Sequence, residues 1–257
     1  MIEPYIGFNQ AIVTKRIDWT ENLFSLRIKA PLTDYIAGQF VKLAVYDEQN
    51  ELIRRAYSIV NHPDDHNETG ELEFLIVTDE AGLLTPCLHM LAVGDELLVG
   101  KDPAGFMTLD EVPEYTRNLW LLSTGTAIGP YLAMLNDKSI EERFDKVVLV
   151  NATRLESELS YQTEIEQLKQ RYQERLVYVR IVSREPVSGA LSGRIPMLLK
   201  NGDLQKAAGV PLEKSNSFVY LCGNPNMVRD CSDCLNELGL SKHLRRKSGQ
   251  FSSENYW

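Results

Sequence analysis

Arg55-Ala56-Tyr57-Ser58 sets a guanidinium, a phenol ring and a hydroxyl within four residues, at the start of an expected strand that continues through Ile59 and Val60. A guanidinium can fork onto a pyrophosphate, a tyrosine can lie flat against an aromatic ring system, and a serine hydroxyl can meet a ring nitrogen. All three suit a flavin nucleotide, although the tetrapeptide also fits an ordinary strand with one exposed arginine. Three further arginines follow: Arg154 in Asn151-Ala152-Thr153-Arg154, Arg184 in Ser183-Arg184 and Arg194 in Ser192-Gly193-Arg194. Each alone fits a solvated surface arginine. At successive strand ends they suit a phosphate carrying about two negative charges.

Glycines mark where backbone can approach such a ligand. Gly125-Thr126-Ala127-Ile128-Gly129-Pro130 lies between the apolar run Leu119–Leu122 and the apolar segment Tyr131–Leu135, as a strand-to-helix turn would. Its spacing departs from the full dinucleotide fingerprint. A site for an unphosphorylated ribose offers an acidic residue roughly 20 residues beyond the glycine turn; here the run Val147–Val150 is followed by Asn151 to Arg154 instead. Gly82-Leu83-Leu84-Thr85-Pro86 opens a helix read from Leu83 to Leu91. Free N–H groups there and the Thr85 hydroxyl can hold an anion, and Thr85-Pro86 also fits a plain N-cap with proline at the first helical position. Cys222-Gly223-Asn224-Pro225 closes the apolar run Phe218–Leu221, where open parallel sheets place ligands. Cys222 fits a small buried apolar residue equally well. Tyr256-Trp257 ends the chain after the polar stretch Lys247–Asn255, and two large aromatics at a terminus suit covering a ligand ring.

Two rhythms must position these residues. From Ile12 to about Val112 short runs alternate apolar and polar residues (Leu23–Ile28, Phe40–Val45, Leu72–Val77), predicting a small antiparallel barrel. From Asn118 the runs Leu119–Leu122, Val147–Val150, Leu176–Val182 and Phe218–Leu221 are continuously apolar, with helices at Ile165–Tyr172 and Met227–Leu238, predicting a parallel α/β sheet. The change falls near Glu111-Val112-Pro113-Glu114, giving domains 1–112 and 113–257.

With 257 residues, 44% hydrophobic and 25% charged, the chain is long enough for one or two cores and is neither disordered nor fibrous. No run of about 18 apolar residues is present and Met1–Gln10 lacks a secretory pattern, so a cytoplasmic protein is expected, away from membranes. Four cysteines form no disulfide framework, and the pair Cys231 and Cys234 has no partner ligands nearby, so no metal is expected and a helix face is the simpler reading. A net charge of -9 argues against nucleic acid. Against that background Lys242, His243, Leu244, Arg245, Arg246 and Lys247 stand out, as a solvated basic helix end or as a docking patch for an acidic partner.

Arg55 to Ser58, Gly82 to Pro86, Gly125 to Pro130, Cys222 to Pro225 and the terminal Tyr256-Trp257 occur in the order seen in ferredoxin/flavodoxin-NADP reductases, and the chain resembles the bacterial branch of that family from about Val13 to its end. The resemblance implies an FAD-binding barrel followed by an NADP-binding α/β domain. It assigns Arg55, Ala56, Tyr57, Ser58, Val77, Leu83, Leu84, Thr85, Thr126, Tyr256 and Trp257 to FAD, with Ser58 beside the flavin N5. It assigns Thr153, Arg154, Ser183, Arg184 and Arg194 to the 2′-phosphate side of NADP, and Gly223, Asn224 and Pro225 to NADP near the nicotinamide. Ser58, Tyr57 and Cys222 become the candidate catalytic positions, Cys222 not as a covalent nucleophile. The implied reaction is hydride transfer between NADP(H) and flavin N5 followed by one-electron steps with ferredoxin or flavodoxin, by a monomer. A reductase serving another acceptor and a flavin-bound scaffold without turnover are the other readings; the arginines count against the scaffold.

Overall fold

Period-two alternation from Leu23 to Ile28 has a direct counterpart in space: Phe24, Leu26 and Ile28 are fully buried on one face of a strand. The computed structural model describes residues 5–31, 34–244 and 246–255. In it that strand belongs to an antiparallel sheet of β1 (Phe8–Asp18), β2 (Leu23–Lys29), β3 (Phe40–Tyr46), β4 (Leu52–Ser58), β5 (Glu71–Val77) and β6 (Glu96–Gly100), ordered β4-β3-β6-β1-β2-β5. The two edges are joined just past β4. Ile59 N donates to Gln39 O at 3.1 Å, and Val60 N crosses to Glu73 O of β5 at 2.9 Å. Inside the resulting barrel pack Phe24, Leu26, Val41, Leu43, Phe74 and Leu97, with Leu84 and Leu88 of a short helix that lies on β3 and β4. That helix is α2 (Leu84–His89); α1 (Pro63–Thr69) precedes it.

The second sheet is wholly parallel among its named strands: β7 (Asn118–Thr124), β8 (Lys146–Thr153), β9 (Leu176–Val182), β10 (Leu191–Ser192), β11 (Ser217–Gly223) and β12 (Phe251–Asn255), ordered β10-β9-β8-β7-β11-β12. β7, β8 and β11 are buried almost throughout, as strands covered on both faces by helices must be. The helices are α3 (Ile128–Leu135), α4 (Ile140–Arg143), α5 (Gln162–Tyr172), α6 (Ile195–Lys200), α7 (Asp203–Ala208) and α8 (Pro225–Glu237). One compact unit runs to Thr108 and takes in Leu132–Met134; the other holds Leu109–Tyr131 and the chain from Leu135 onward. Among the described residues no helix is long and apolar enough to cross a membrane.

Four expectations need correction. Arg55 to Ser58 closes a strand instead of opening one: the ladder to β3 runs from Tyr46↔Leu52 to Phe40↔Ser58, and the buried Ile59 and Val60 lie beyond it. Thr85 and Pro86 are not a cap and a first helical residue, because the helix is already under way at Leu84 and the Thr85 hydroxyl is engaged elsewhere. The helix Leu83–Leu91 is shorter, Leu84–His89. The basic segment is no helix end: α8 stops at Glu237, and Leu244 and Lys247 exchange two N–H···O bonds of 2.9 Å in a tight turn.

Candidate functional site

In the parallel sheet, β8, β9 and β10 lie to one side of β7 and β11 to the other, so the strand order reverses between β7 and β11. Loops leaving the carboxyl ends of strands at such a reversal frame a crevice suited to a nucleotide. The loop after β7 holds Gly125, whose φ of 56° is left-handed, and the buried Thr126. β11 ends on Gly223 at φ 130°, where an added Cβ would stand 2.1 Å from Thr124 Oγ1. Only glycine allows this approach. Asn224 N then donates to Thr124 Oγ1 at 2.9 Å, while the Asn224 side chain accepts from Asn226 N and Met227 N and Pro225 fills the first turn of α8. Asn224 and Pro225 therefore fix the start of α8, and Cys222 is fully buried just before them. β12 runs beside β11 until Asn255 faces Gly223. Tyr256 and Trp257, like Arg245, lie outside the described residues.

Farther along the same edge the register brings four expected residues together. Ser183 N and Ser183 Oγ both donate to Thr153 O, at 3.1 and 3.2 Å, and Arg184 N donates to Arg154 O at 3.0 Å, extending the β8–β9 ladder past both strands. Arg194 follows β10, whose Ser192 pairs with Val182 of β9, and it stands at the N-cap of α6. All three arginines are exposed, and among the described residues none of their guanidiniums has a hydrogen-bond or ion-pair partner. Exposed cations at neighbouring strand ends, on a chain of net charge -9, suit a multiply charged anion.

On the barrel, Arg55 and Tyr57 face one side of β4, opposite Leu43 and Val41, and Ala56 and Ser58 face the other. Arg55 is exposed, and among the described residues its guanidinium donates to Arg54 O alone, at 2.8 Å. Burial pushes the Tyr57 phenol up to about 12, against a smaller downward pull from Arg55, so the ring is neutral in physiological conditions. α2 packs against β3 and β4. Leu83 is 66% and Val77 37% exposed, two apolar side chains left to water, whereas Leu84 is in the core and offers only its backbone. Thr85 Oγ1 accepts from Asp79 N and donates to Asp79 O, both at 3.0 Å, and so braces the loop before α2. An exposed cation, a neutral ring and exposed apolar side chains fit a flavin nucleotide.

Sequence reasoning passed over three residues. Thr124 joins the two loops at the strand-order reversal; its place directly before Gly125 was the available signal. Glu158 and Glu185 tie down the backbone around Arg154 and Arg184; an acid three residues after Leu155 has the spacing of a reach-back turn cap, but Glu185 gave none.

Comparison with known proteins adds an independent line. Residues 10–107 match the oxidoreductase FAD-binding domain family and residues 121–233 the oxidoreductase NAD-binding domain family. The flavodoxin/ferredoxin–NADP reductase of Escherichia coli (strain K12) is 46% identical over 246 residues, covering 95% of this chain and 97% of that one. The protein of the same name from Buchnera aphidicola subsp. Baizongia pistaciae is 44% identical over 248 residues, covering 96% and 98%. Among solved structures, a ferredoxin NADP+ reductase from Neisseria gonorrhoeae with bound FAD and NADP superposes with a TM-score of 0.89 at 29% identity, covering 98% of this chain and 99% of that one.

Proposed function

The chain belongs to the flavodoxin/ferredoxin–NADP reductase family, and from that premise we propose how its residues divide the work. It is an FAD- and NADP-binding oxidoreductase that carries electrons between NADP(H) and ferredoxin or flavodoxin. When bound, FAD supplies the conversion between a two-electron donor and one-electron carriers.

Domain 1–112 holds FAD and domain 113–257 holds NADP. Arg55 neutralises the pyrophosphate, and the N–H groups around Leu83, Leu84 and Thr85 add to it. Tyr57, neutral at working pH, gives a ring face, with Ala56, Val77 and Leu83 as apolar neighbours. Ser58 hydrogen-bonds at the N5 side. Thr126, Tyr256 and Trp257 complete the FAD contacts. Cys222, Gly223, Asn224 and Pro225 shape the nicotinamide end, Cys222 as a small buried side chain and Gly223 by leaving room. Thr153 and Ser183 set the floor on which Arg154 and Arg184, with Arg194, bind the 2′-phosphate. Holding donor and acceptor in fixed orientation makes the hydride step effectively unimolecular. A carrier docks on the basic loop around Lys242, Arg245, Arg246 and Lys247. The protein acts in the cytoplasm as a monomer.

Three exposed arginines at neighbouring strand ends, without partners among the described residues, carry the NADP reading. Initial rates with NADPH and NADH test it: kcat/KM should favour NADPH by well over about tenfold, the effect of ~1.4 kcal/mol, and equal values for the two would refute it.

A further inference from the structure

Among the described residues Arg154 and Arg184 have unpartnered side chains, yet the backbone beneath them is tied at Arg154 N, Arg154 O and Arg184 N. Glu158 Oε2 accepts from Arg154 N at 2.8 Å and from Leu155 N at 3.1 Å. Arg154 O accepts from Arg184 N at 3.0 Å. The residue after Arg184 completes the frame, for Glu185 Oε1 accepts from Glu156 N at 2.6 Å, across 29 residues of sequence. Thr153 Oγ1 donates to Leu155 O at 2.8 Å. Among the described residues both carboxylates spend these contacts on backbone N–H groups and not on the neighbouring guanidiniums.

We infer that Glu158 and Glu185 are positioning residues for the 2′-phosphate of NADP(H), holding the loops after β8 and β9 so that Arg154 and Arg184 stay at a spacing one phosphate can bridge. The inference rests on the assignment of these arginines made above. Two guanidiniums without a counter-ion repel, and loops free to part would have to be reordered by each incoming ligand. Hydrogen bonds formed beforehand remove that ordering cost. A carboxylate also brings negative charge toward a phosphate, which acts the other way. Here each acid is engaged by backbone N–H groups, and glutamine, which keeps an acceptor oxygen and lacks the charge, separates the two effects.

The test is isothermal titration of FAD-loaded protein with 2′-phospho-AMP and with 5′-AMP, for wild type, Glu158→Ala, Glu158→Gln, Glu185→Ala, Glu185→Gln and Arg154→Ala, with thermal unfolding to verify each fold. Each alanine variant should weaken 2′-phospho-AMP about three- to tenfold and leave 5′-AMP nearly unchanged, and each glutamine variant should restore most of the loss. Tighter binding of 2′-phospho-AMP by both alanine and glutamine variants would overturn the inference in favour of simple repulsion. Parallel weakening of both ligands would overturn it in favour of a general structural role. If Arg154→Ala itself leaves 2′-phospho-AMP unaffected, the arginine assignment fails; if it weakens binding while the glutamate variants do not, the positioning role alone fails.

Discussion

At Arg154 and Arg184 the relevant magnitude is that of a charge-assisted hydrogen bond, about 1.5–3 kcal/mol when well formed. Both side chains are exposed on the sheet edge, where solvent screening argues for the lower end. Replacing both by alanine should still raise the NADPH KM at least about tenfold and the NADH KM far less, as measured by initial rates; equal changes would show that they do not read the 2′-phosphate. Tyrosines give a pH prediction. Burial raises the phenols of Tyr57, to about 12, and of Tyr35, where Asp65 adds to it. The unfolded chain ionises them near 10.0, so their contribution to stability is full below that value and is lost as pH rises through the folded value. Denaturant midpoints should fall above roughly pH 10, with a late-ionising tyrosine class in the ultraviolet titration; normal ionisation of every tyrosine would contradict the burial. The arginines were legible in sequence because like charges after apolar runs are unusual on an acidic chain. Glu158 and Glu185 were not, since their meaning depends on how β8 and β9 pair.

Among the elements, the β7 and β11 loops depend on one close approach. Gly223→Ala would drive a methyl against Thr124 at a backbone angle that side chains rarely adopt, and it should cost more than about 2 kcal/mol of stability, read from chemical denaturation. A fully stable alanine variant would mean that the loops meet differently. Strands with clear periodicity were legible, from Leu23–Lys29 to Leu176–Val182. α1 was not, because Pro63-Asp64-Asp65-His66-Asn67-Glu68-Thr69 has no apolar stripe: His62 accepts from Asp64 N at its start, Pro63 fits the first turn, and Gly70 ends it in a left-handed conformation. β12 was missed for a related reason. It has one apolar residue, Phe251, and is held at the sheet edge by backbone pairing with β11. Arg55 to Ser58 was placed in the right strand but at its wrong end, since Ile59 and Val60 stay buried after the ladder stops.

For the molecule as a whole, the proposed docking of a carrier turns on charge. Lys242, just before a turn, and Arg246 and Lys247 on it are exposed, none has an ion pair among the described residues, and the net charge is -9. Steering by such a patch acts on association rate and is screened over a Debye length of about 8 Å at 0.15 M ionic strength. Reversing all three to Glu should slow carrier reduction several-fold at low salt, with the difference shrinking as salt rises; a salt-independent effect, or none, would send the search for the docking surface elsewhere. The most direct measurement of the central claim is steady-state reduction of purified ferredoxin and purified flavodoxin by the FAD-loaded protein, with NADPH and with NADH as donor. The account predicts that at least one carrier is reduced catalytically with NADPH and much more slowly with NADH. Failure to reduce either carrier, with NADPH-dependent dye reduction intact, would contradict it and leave a reductase for some other acceptor.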